Sequence, residues 1–446
     1  MTSLLAVDVG SSSVRAQLHD EDAAPAGEEA QLPYGTNDPE EVVELTRQAI
    51  EQARGGVEPA AVAASCFGHS LIALDARGRP LTPTLMWRDS RSADHARSLG
   101  LRFPWLHERT GCFPHSSYWP AKLAWLRAEQ RPVFDAADRF VSFAEYLYER
   151  LLGEPAPTSL SMASSTGLLD LETRDWESEL LDTLHVRAPQ LPPVSEESIG
   201  TWYPALFDGA TSNLGTGCLR SARAALTVGT SGALRVLHER VPAVPRPTLF
   251  LYRVNGDRVL DGGALSDGGN LTRWLDQVVG ETGAVADRPP AGHGLTFVPF
   301  LAGERGPWWS DRARGSIAGL SLTTTALDLR QAALEGVALL FREILDSMPE
   351  VEEIVATGGA LLHDGDWMQV MADVLERPVL ESAVEEGSAR GAVVAALERL
   401  GVIAPEPPVG RTFEPRSDRA DAYRAARERQ RQLYERLLGE PRPERS

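Results

Sequence analysis

Two stretches decide the fold: Val7-Asp-Val-Gly-Ser-Ser-Ser-Val-Arg-Ala16 and Leu226-Thr-Val-Gly-Thr-Ser-Gly-Ala-Leu-Arg235. Each is an apolar run, a tip of glycine and small hydroxyl residues, and a second apolar run. That pattern predicts two antiparallel strands joined by a tight turn. The first reads as a strand over Leu4–Val9, a turn at Gly10–Ser13 and a strand over Val14–Leu18. The second reads as Ala224–Val228, a tip at Gly229–Gly232, and Ala233–Leu237. The two tips lie about half a chain length apart. A duplication is the reading: two related α/β domains, each opening with a hairpin whose tip faces a phosphate. Short strings of this kind also recur by chance, and the rest of the chain bears on whether the two hairpins are related.

Outward from the first hairpin, residues 20–37 read as a loop or weak strand. Asp38-Pro39-Glu40-Glu41 opens a helix, with Asp38 as cap, Pro39 in the first turn and acids complementing the dipole. Ala61–Phe67 is an apolar run ending at Gly68, which suits a buried strand that delivers His69 to a loop. Residues 119–130 and 138–152 have helical periodicity, and Pro192, Pro193 and Pro204 punctuate the middle of the chain. In the second half, Asp328–Asp346 is an amphipathic helix. Glu353–Thr357 is an apolar strand running into Gly358-Gly359-Ala360, and Trp367–Leu375 and Gly391–Leu400 are helices. The charged stretch 416–438 reads as a surface helix.

Bulk properties narrow the function. With 446 residues, two or three domains are expected, and 43% hydrophobic with 24% charged residues is ordinary for a soluble globular protein. A net charge of −19 argues against nucleic acid and anionic membrane as partners. Cys66, Cys112 and Cys218 are odd in number and form no CxxC pair, so reduced thiols in a cytoplasmic setting are expected. The N-terminus has no basic region and Asp8 interrupts its apolar run, unlike a signal peptide. No uncharged stretch is long enough to span a membrane. Lys122 is the only lysine, and Ala121 precedes it, so the glycine-lysine pair of a P-loop is missing.

Chemistry concentrates at the turns. A tip such as Gly10-Ser11-Ser12-Ser13 presents successive N–H groups and hydroxyls to an anion. Asp8, at the strand end, can sit where Mg²⁺ bridges phosphate oxygens, and Arg15 can add a charge-assisted contact. Alone, this would be an ordinary solvated hairpin. Its repetition at Gly229-Thr230-Ser231 and the third cluster at Gly358-Gly359 make three glycine-rich strand ends, as a nucleotide cleft between domains requires. Asp208 stands in the otherwise uncharged run Ala205–Gly217. If buried, its pKa would rise toward that of a useful base; equally, an Asp before Gly-Ala-Thr is a plausible helix cap. Spacing does not separate the two.

The chain resembles the FGGY carbohydrate kinases of the actin and hexokinase superfamily almost end to end. Leu4–Arg15, Thr110-Gly-Cys112, Tyr118 with Lys122-Leu-Ala-Trp125, Ala163-Ser-Ser-Thr-Gly-Leu168, Val228–Gly232 and Gly303-Glu-Arg-Gly-Pro307 follow its motifs in order. Gly315-Ser-Ile-Ala-Gly-Leu320 with Asp328–Glu335 satisfies its C-terminal signature. Thr357–Ala360 and Gly387-Ser-Ala-Arg-Gly-Ala392 complete the set.

The resemblance implies an α/β protein of two ribonuclease H-like domains, 1–217 for the sugar and the first phosphate hairpin and 218–440 for the nucleotide, with ATP in the cleft between them. It implies transfer of the ATP γ-phosphate to a small sugar or sugar acid. Asp208 takes the place of the catalytic base and Asp8 that of the Mg²⁺-associated aspartate. Gly10, Ser11, Ser12, Ser13, Arg15, Gly229, Thr230, Gly269, Gly358, Gly359 and Ala360 match positions near the nucleotide, and His69, Trp87 and Asp89 match sugar-site positions. Asp89 capping a helix and His69 as a satisfied buried imidazole are the local alternatives. The runs Cys66–Leu71, Thr110–His115 and Asp208–Gly215 are most similar to gluconate kinases. D-gluconate is therefore the expected substrate, with a xylulose, ribulose or polyol kinase and a non-catalytic sugar-responsive protein as alternatives. A homodimer is compatible with this reading. The chain departs from the family at Gly68, where Met is common, at Ser159, where an aspartate is usual, and in a shortened segment over residues 30–40.

Overall fold

The computed structural model describes residues 3–239, 244–280 and 282–438. Met1 and Thr2 of the N-terminal reading and residues 439–440 of the second expected domain lie outside the described residues.

The first hairpin forms as expected: β1 (Leu4–Val9) pairs antiparallel with β2 (Ser13–His19), bringing Asp8 opposite Arg15. β3 (Ala30–Pro33) adds an edge strand within the stretch read as a loop or weak strand. β4 (Ala61–Cys66) runs parallel to β1, and β5 (Leu206–Phe207) runs parallel to β4, giving the order β3-β2-β1-β4-β5. β1 and β4 are buried at every position, which is why both read as unbroken apolar runs. Between β3 and β4 lies helix α1 (Pro39–Arg54), whose Glu40 N–H donates to the Asp38 carboxylate.

The second sheet repeats this plan. β6 (Arg223–Val228) and β7 (Gly232–His238) form the hairpin. β8 (Phe250–Arg253) and β9 (Val259–Leu265) extend it on the antiparallel side, and β10 (Glu353–Thr357) and β11 (Val379–Ser382) run parallel beyond β6. β12 (Val409–Phe413) closes the order β8-β9-β7-β6-β10-β11-β12. In each sheet a hairpin is flanked by an antiparallel strand on one side and two parallel strands on the other. The duplication read from two short strings is thus a duplication of topology.

The last parallel strand of each unit feeds a helix: α2 (Asp208–Gly215) after β5 and α4 (Gly387–Arg399) after β11. These two helices pack closely against each other, and α4 buries Ala389, Ala392, Val393, Ala396 and Leu397 in the core of the first sheet. Helix α3 (Ala326–Leu345) begins at a Thr325–Asp328 capping box and backs the second sheet.

Three elements differ from their sequence reading. Residues 138–152 are a strand over Arg139–Val141 followed by a helix over Phe143–Leu152. The break is a capping box in which the Ser142 hydroxyl accepts from the Ala144 N–H and the Glu145 carboxylate accepts from the Ser142 N–H. Helix α4 starts at Gly387 rather than Gly391. Helix α5 (Ala420–Leu438) buries Tyr423, Ala426, Gln430 and Tyr434, and Gln430 donates to the carbonyls of Phe297 and Gly336, so one side of it belongs to the second core.

Candidate active site

A single cavity of about 700 Å³ is lined by both hairpin tips and by the ends of the parallel strands. One end holds the expected anion-binding elements. At the first tip the Gly10 N–H donates to the Ser13 carbonyl (3.0 Å), and Ser11, Ser12 and Ser13 line the space. At the second the Gly229 N–H donates to the Ser231 carbonyl (3.0 Å), with Thr230 beside it. Gly358 and Gly359 follow β10. Gly358 has φ +93°, and a β-carbon there would sit 2.5 Å from the Val228 carbonyl, so the strand can meet the second hairpin only as glycine.

Asp8 is buried at the end of β1. Burial raises its pKa, while a Ser65 hydrogen bond and Arg15 oppose the rise. Arg15 Nη1 donates to Asp8 Oδ2 (3.2 Å), and its Nε lies 3.3 Å from Glu386, which immediately precedes the second unit's helix α4. The Asp8–Arg15–Glu386 chain thus bridges the two units across the cavity.

Asp208 is the first residue of α2, and Phe207 occupies the cap position, so the capping alternative does not hold. Its carboxyl lines the cavity. Burial pushes its pKa up to about 6; Arg235 acts to lower it and Asp8 to raise it. That value leaves a carboxylate at neutral pH that is basic enough to accept a hydroxyl proton.

The other end of the cavity is aromatic. His69 sits at φ +63° after β4, and its Nδ1 is 2.5 Å from the Ser165 carbonyl. A carbonyl only accepts, so Nδ1 carries the proton and Nε2 keeps a lone pair. Burial holds this imidazole neutral, with a pKa lowered to about 3. Lys122 is buried behind it and donates to the carbonyls of His69 (2.5 Å) and Leu85 (3.1 Å). Around His69 stand Tyr118, Phe207 and Tyr252, with ring centroids 5.1, 5.6 and 5.7 Å away, and the Tyr118 and Tyr252 hydroxyls are 2.6 Å apart. Trp87 lines the same end under the Arg305 guanidinium, whose carbon lies 3.9 Å from the ring centroid.

Three expected site residues do not line the cavity. Asp89 is held by its neighbour Arg91 (Nε to Oδ1 2.9 Å). Burial alone would raise its pKa, but the Arg91 hydrogen bonds lower it. Gly269 and Ala360 stand behind the second tip: the Gly269 N–H donates to the Gly229 carbonyl (2.7 Å), and a β-carbon on Gly269 would meet Ala360 at 2.6 Å. They shape the tip rather than face the space.

The departures at Gly68 and Ser159 have local causes. A β-carbon at Gly68 would lie 2.6 Å from the Phe207 ring, so the aromatic residue next to Asp208 fills the room a side chain would take. Ser159 caps the helix Leu160–Ser164 and donates to the Ala205 carbonyl (2.6 Å), steadying the segment that leads to Asp208.

Sequence reasoning missed Arg235, Arg305, Tyr118, Tyr252, Trp309 and Glu386. Arg235 carried a signal, since each hairpin's return strand bears an arginine. Arg305 lay inside the quoted Gly303–Pro307 run but was given no role. Its loop is organised by buried Glu304, whose carboxylate accepts from the N–H groups of Trp308 (2.7 Å), Trp309 (2.8 Å) and Ser310 (2.5 Å). The loop docks on the first unit through Ser116 N–H to Asp311 (3.1 Å) and His115 Nε2 to the Glu304 carbonyl (2.9 Å). The aromatic end is therefore built by both halves of the chain.

No helix among the described residues is long and apolar enough to cross a membrane. Among known proteins, the profile of the FGGY family of carbohydrate kinases, N-terminal domain, matches residues 3–210, and that of the C-terminal domain matches residues 224–398. The gluconokinase of Bacillus subtilis (strain 168) is 28% identical, over 95% of this chain and 94% of that protein. A ligand-bound xylulose kinase from Lactobacillus acidophilus superposes with a TM-score of 0.88 at 25% identity, covering 98% of this chain and 99% of that one. A gluconate kinase from Lactobacillus acidophilus has a TM-score of 0.87 at 24% identity, covering 98% of each chain. The cleft between two duplicated units and the matched profiles over both lead to one conclusion: this chain is a sugar phosphotransferase and belongs to the FGGY family of carbohydrate kinases.

Proposed function

We propose that this kinase transfers the γ-phosphate of ATP to a hydroxyl of a small sugar acid, with D-gluconate the best candidate and Asp208 as general base. The observation that carries the reading is the position of Asp208 in one continuous cavity, between the two glycine-rich tips and the aromatic end around His69. Residues 1–217 and 218–440 are proposed as the two domains; the break between the sheets, after Phe207 and before Arg223, supports that division.

In this mechanism the backbone N–H groups of the tips and Arg15 hold the phosphates. Nε2 of His69 accepts a hydrogen bond from a sugar hydroxyl. Asp208 accepts the proton of the attacking hydroxyl as its oxygen bonds to the γ-phosphorus and the bond to the ADP oxygen breaks. Asp8 is a hard-oxygen donor whose burial disfavours its bare charge, which suits Mg²⁺ bound mainly through phosphates and one protein carboxylate. Mg²⁺ there would neutralise phosphate charge. Closure of the two units would exclude water and favour transfer over hydrolysis.

The gluconokinase likeness and the Arg305 guanidinium over Trp87 favour a sugar acid over a neutral ketose. The test is ADP release with a panel of D-gluconate, D-xylulose, L-ribulose and glycerol. Turnover on D-gluconate at least about tenfold above the others in kcat/KM is expected. A preference for D-xylulose or glycerol would replace the substrate assignment, and silence on the whole panel would remove it.

A further inference from the structure

Among the described residues, three arginines line the cavity. Arg15 is ion-paired with Asp8 and Glu386. Among the described residues, Arg235 and Arg305 have no ion-pair partner. The Arg235 guanidinium donates one hydrogen bond, to the Thr227 hydroxyl (3.3 Å), and Arg305 Nε is buried with no hydrogen-bond partner. Two enclosed cations with no carboxylate at ion-pair distance are unfavourable, and they repel each other. Burial brings Arg305 down to about 10, with Arg235 adding to the effect while Tyr118, Tyr252 and Asp208 oppose it.

Of the nearby carboxylates, Asp267 acts on Arg305 from outside the cavity lining and accepts from the Ala302 N–H (3.2 Å); Glu304 and Asp8 are engaged elsewhere. Glu304, next to Arg305 in sequence, spends its oxygens on three N–H groups of its own loop. Asp8 is tied to Arg15. Asp208 faces both guanidiniums, but one carboxylate cannot balance two cations, and as general base it must stay free to take a proton. Among the described residues lining the whole cavity, the three arginines meet four carboxylates, Asp8, Asp208, Glu385 and Glu386; Asp8 and Glu386 lie against Arg15, which leaves Asp208 as the lining carboxylate that Arg235 and Arg305 share. Arg305 lies toward the aromatic end, where its guanidinium stacks on Trp87. Stacking holds the plane of the guanidinium and leaves its N–H edge for an acceptor of matching geometry.

We propose that Arg305 and Arg235 are the specificity-determining pair, receiving the carboxylate of a sugar acid. The proposal rests on the sugar-acid reading above. A neutral sugar of the same length would leave both cations unpaired, and a site built for a charged group rejects the analogue that lacks it.

The test is calorimetric binding of D-gluconate and of D-glucitol, which has the same carbon chain with a hydroxymethyl group in place of the carboxylate. The full chain is used as wild type, Arg305→Gln and Arg235→Gln, with Mg-ATP binding as the check on folding. Wild type is expected to prefer D-gluconate by at least about tenfold. Each variant should weaken D-gluconate by roughly 10- to 100-fold while D-glucitol and Mg-ATP stay within about threefold. Equal weakening of D-gluconate and D-glucitol overturns the proposal, as does weakened Mg-ATP with D-gluconate untouched. A glutamine variant that loses all three ligands is replaced by Arg305→Lys or Arg235→Lys, which keeps charge without the fork and should show an intermediate loss confined to D-gluconate. Parallel ADP-release assays keep the two readings apart. If wild type turns over D-gluconate and the variants keep its affinity, the pair is refuted and the sugar-acid reading survives. If wild type turns over only neutral sugars, the sugar-acid reading itself has failed.

Discussion

Gly391 lies directly against Thr211: a β-carbon on the glycine would stand 1.8 Å from the Thr211 carbonyl oxygen. The contact joins α4 of the second unit to α2 of the first, and α2 begins with Asp208.

Gly391→Ala should therefore force the two helices apart. We expect a loss of about 1–3 kcal/mol in unfolding free energy, as for an overpacked core, and a lower kcat as the turn carrying Asp208 shifts. Gly35→Ala, where a β-carbon meets nothing within 4 Å, is the control and should change neither. Urea melts and steady-state kinetics of both variants decide the matter; an unaltered midpoint for Gly391→Ala would disprove the close seam.

Asp208→Asn removes the base but keeps the shape. Turnover should fall by roughly 10² or more, with ATP affinity within about threefold. In the wild type, kcat/KM should climb with pH up to about 6 and level off above it, because only the ionised carboxyl accepts a proton. Near-normal turnover in the variant, or a flat wild-type profile between pH 5 and pH 7, would withdraw the assignment.

The same residue has a stability signature of opposite sign. The folded-state pKa of Asp208 is raised from 3.8 to about 6, so the folded protein holds a proton that the unfolded chain has released across that window. Ionised Asp208 thus weakens the fold fully above about pH 6, and the penalty fades as pH falls toward 4. Asp208→Asn should raise the thermal midpoint at pH 7 and lose this advantage by about pH 4. Calorimetric scans at the two pH values check it, and a lower midpoint at pH 7 would contradict the burial argument.

Lys122→Met leaves the carbonyls of His69 and Leu85 without their buried donor. We expect a stability loss of about 2–4 kcal/mol and a KM for sugar that rises more than the KM for ATP, since His69 belongs to the aromatic end. A variant with the wild-type urea midpoint would show the two bonds to be dispensable.

What could be read from sequence was mostly local. β1 was legible because burial on both faces made Leu4–Val9 apolar throughout, and α1 because Asp38 and Pro39 signal a helix start in any context. The two glycine tips were legible because a phosphate-facing turn needs small residues in a row. The failures are about direction and distance. Gly269 and Ala360 stand close to the second tip, yet sequence spacing does not tell which side of a turn faces the space. Asp89 looked available, but Arg91 two residues on had already engaged it. Tyr252, Trp309 and Arg305 reach the cavity through the strand order of the second sheet and the docking of the 304–311 loop on His115 and Ser116, which no local pattern encodes. Gly68 looked like a departure from the family until Phe207 was seen filling the space beside it.

Lys122 carries a further implication. It is the single lysine of the chain and it is buried, so no lysine ammonium is offered to solvent. Acetylation, ubiquitin attachment and amine-directed labels would find no side-chain target on the folded protein. Accessibility of that one amine would instead report on opening of the segments around His69 and Leu85 that cover it.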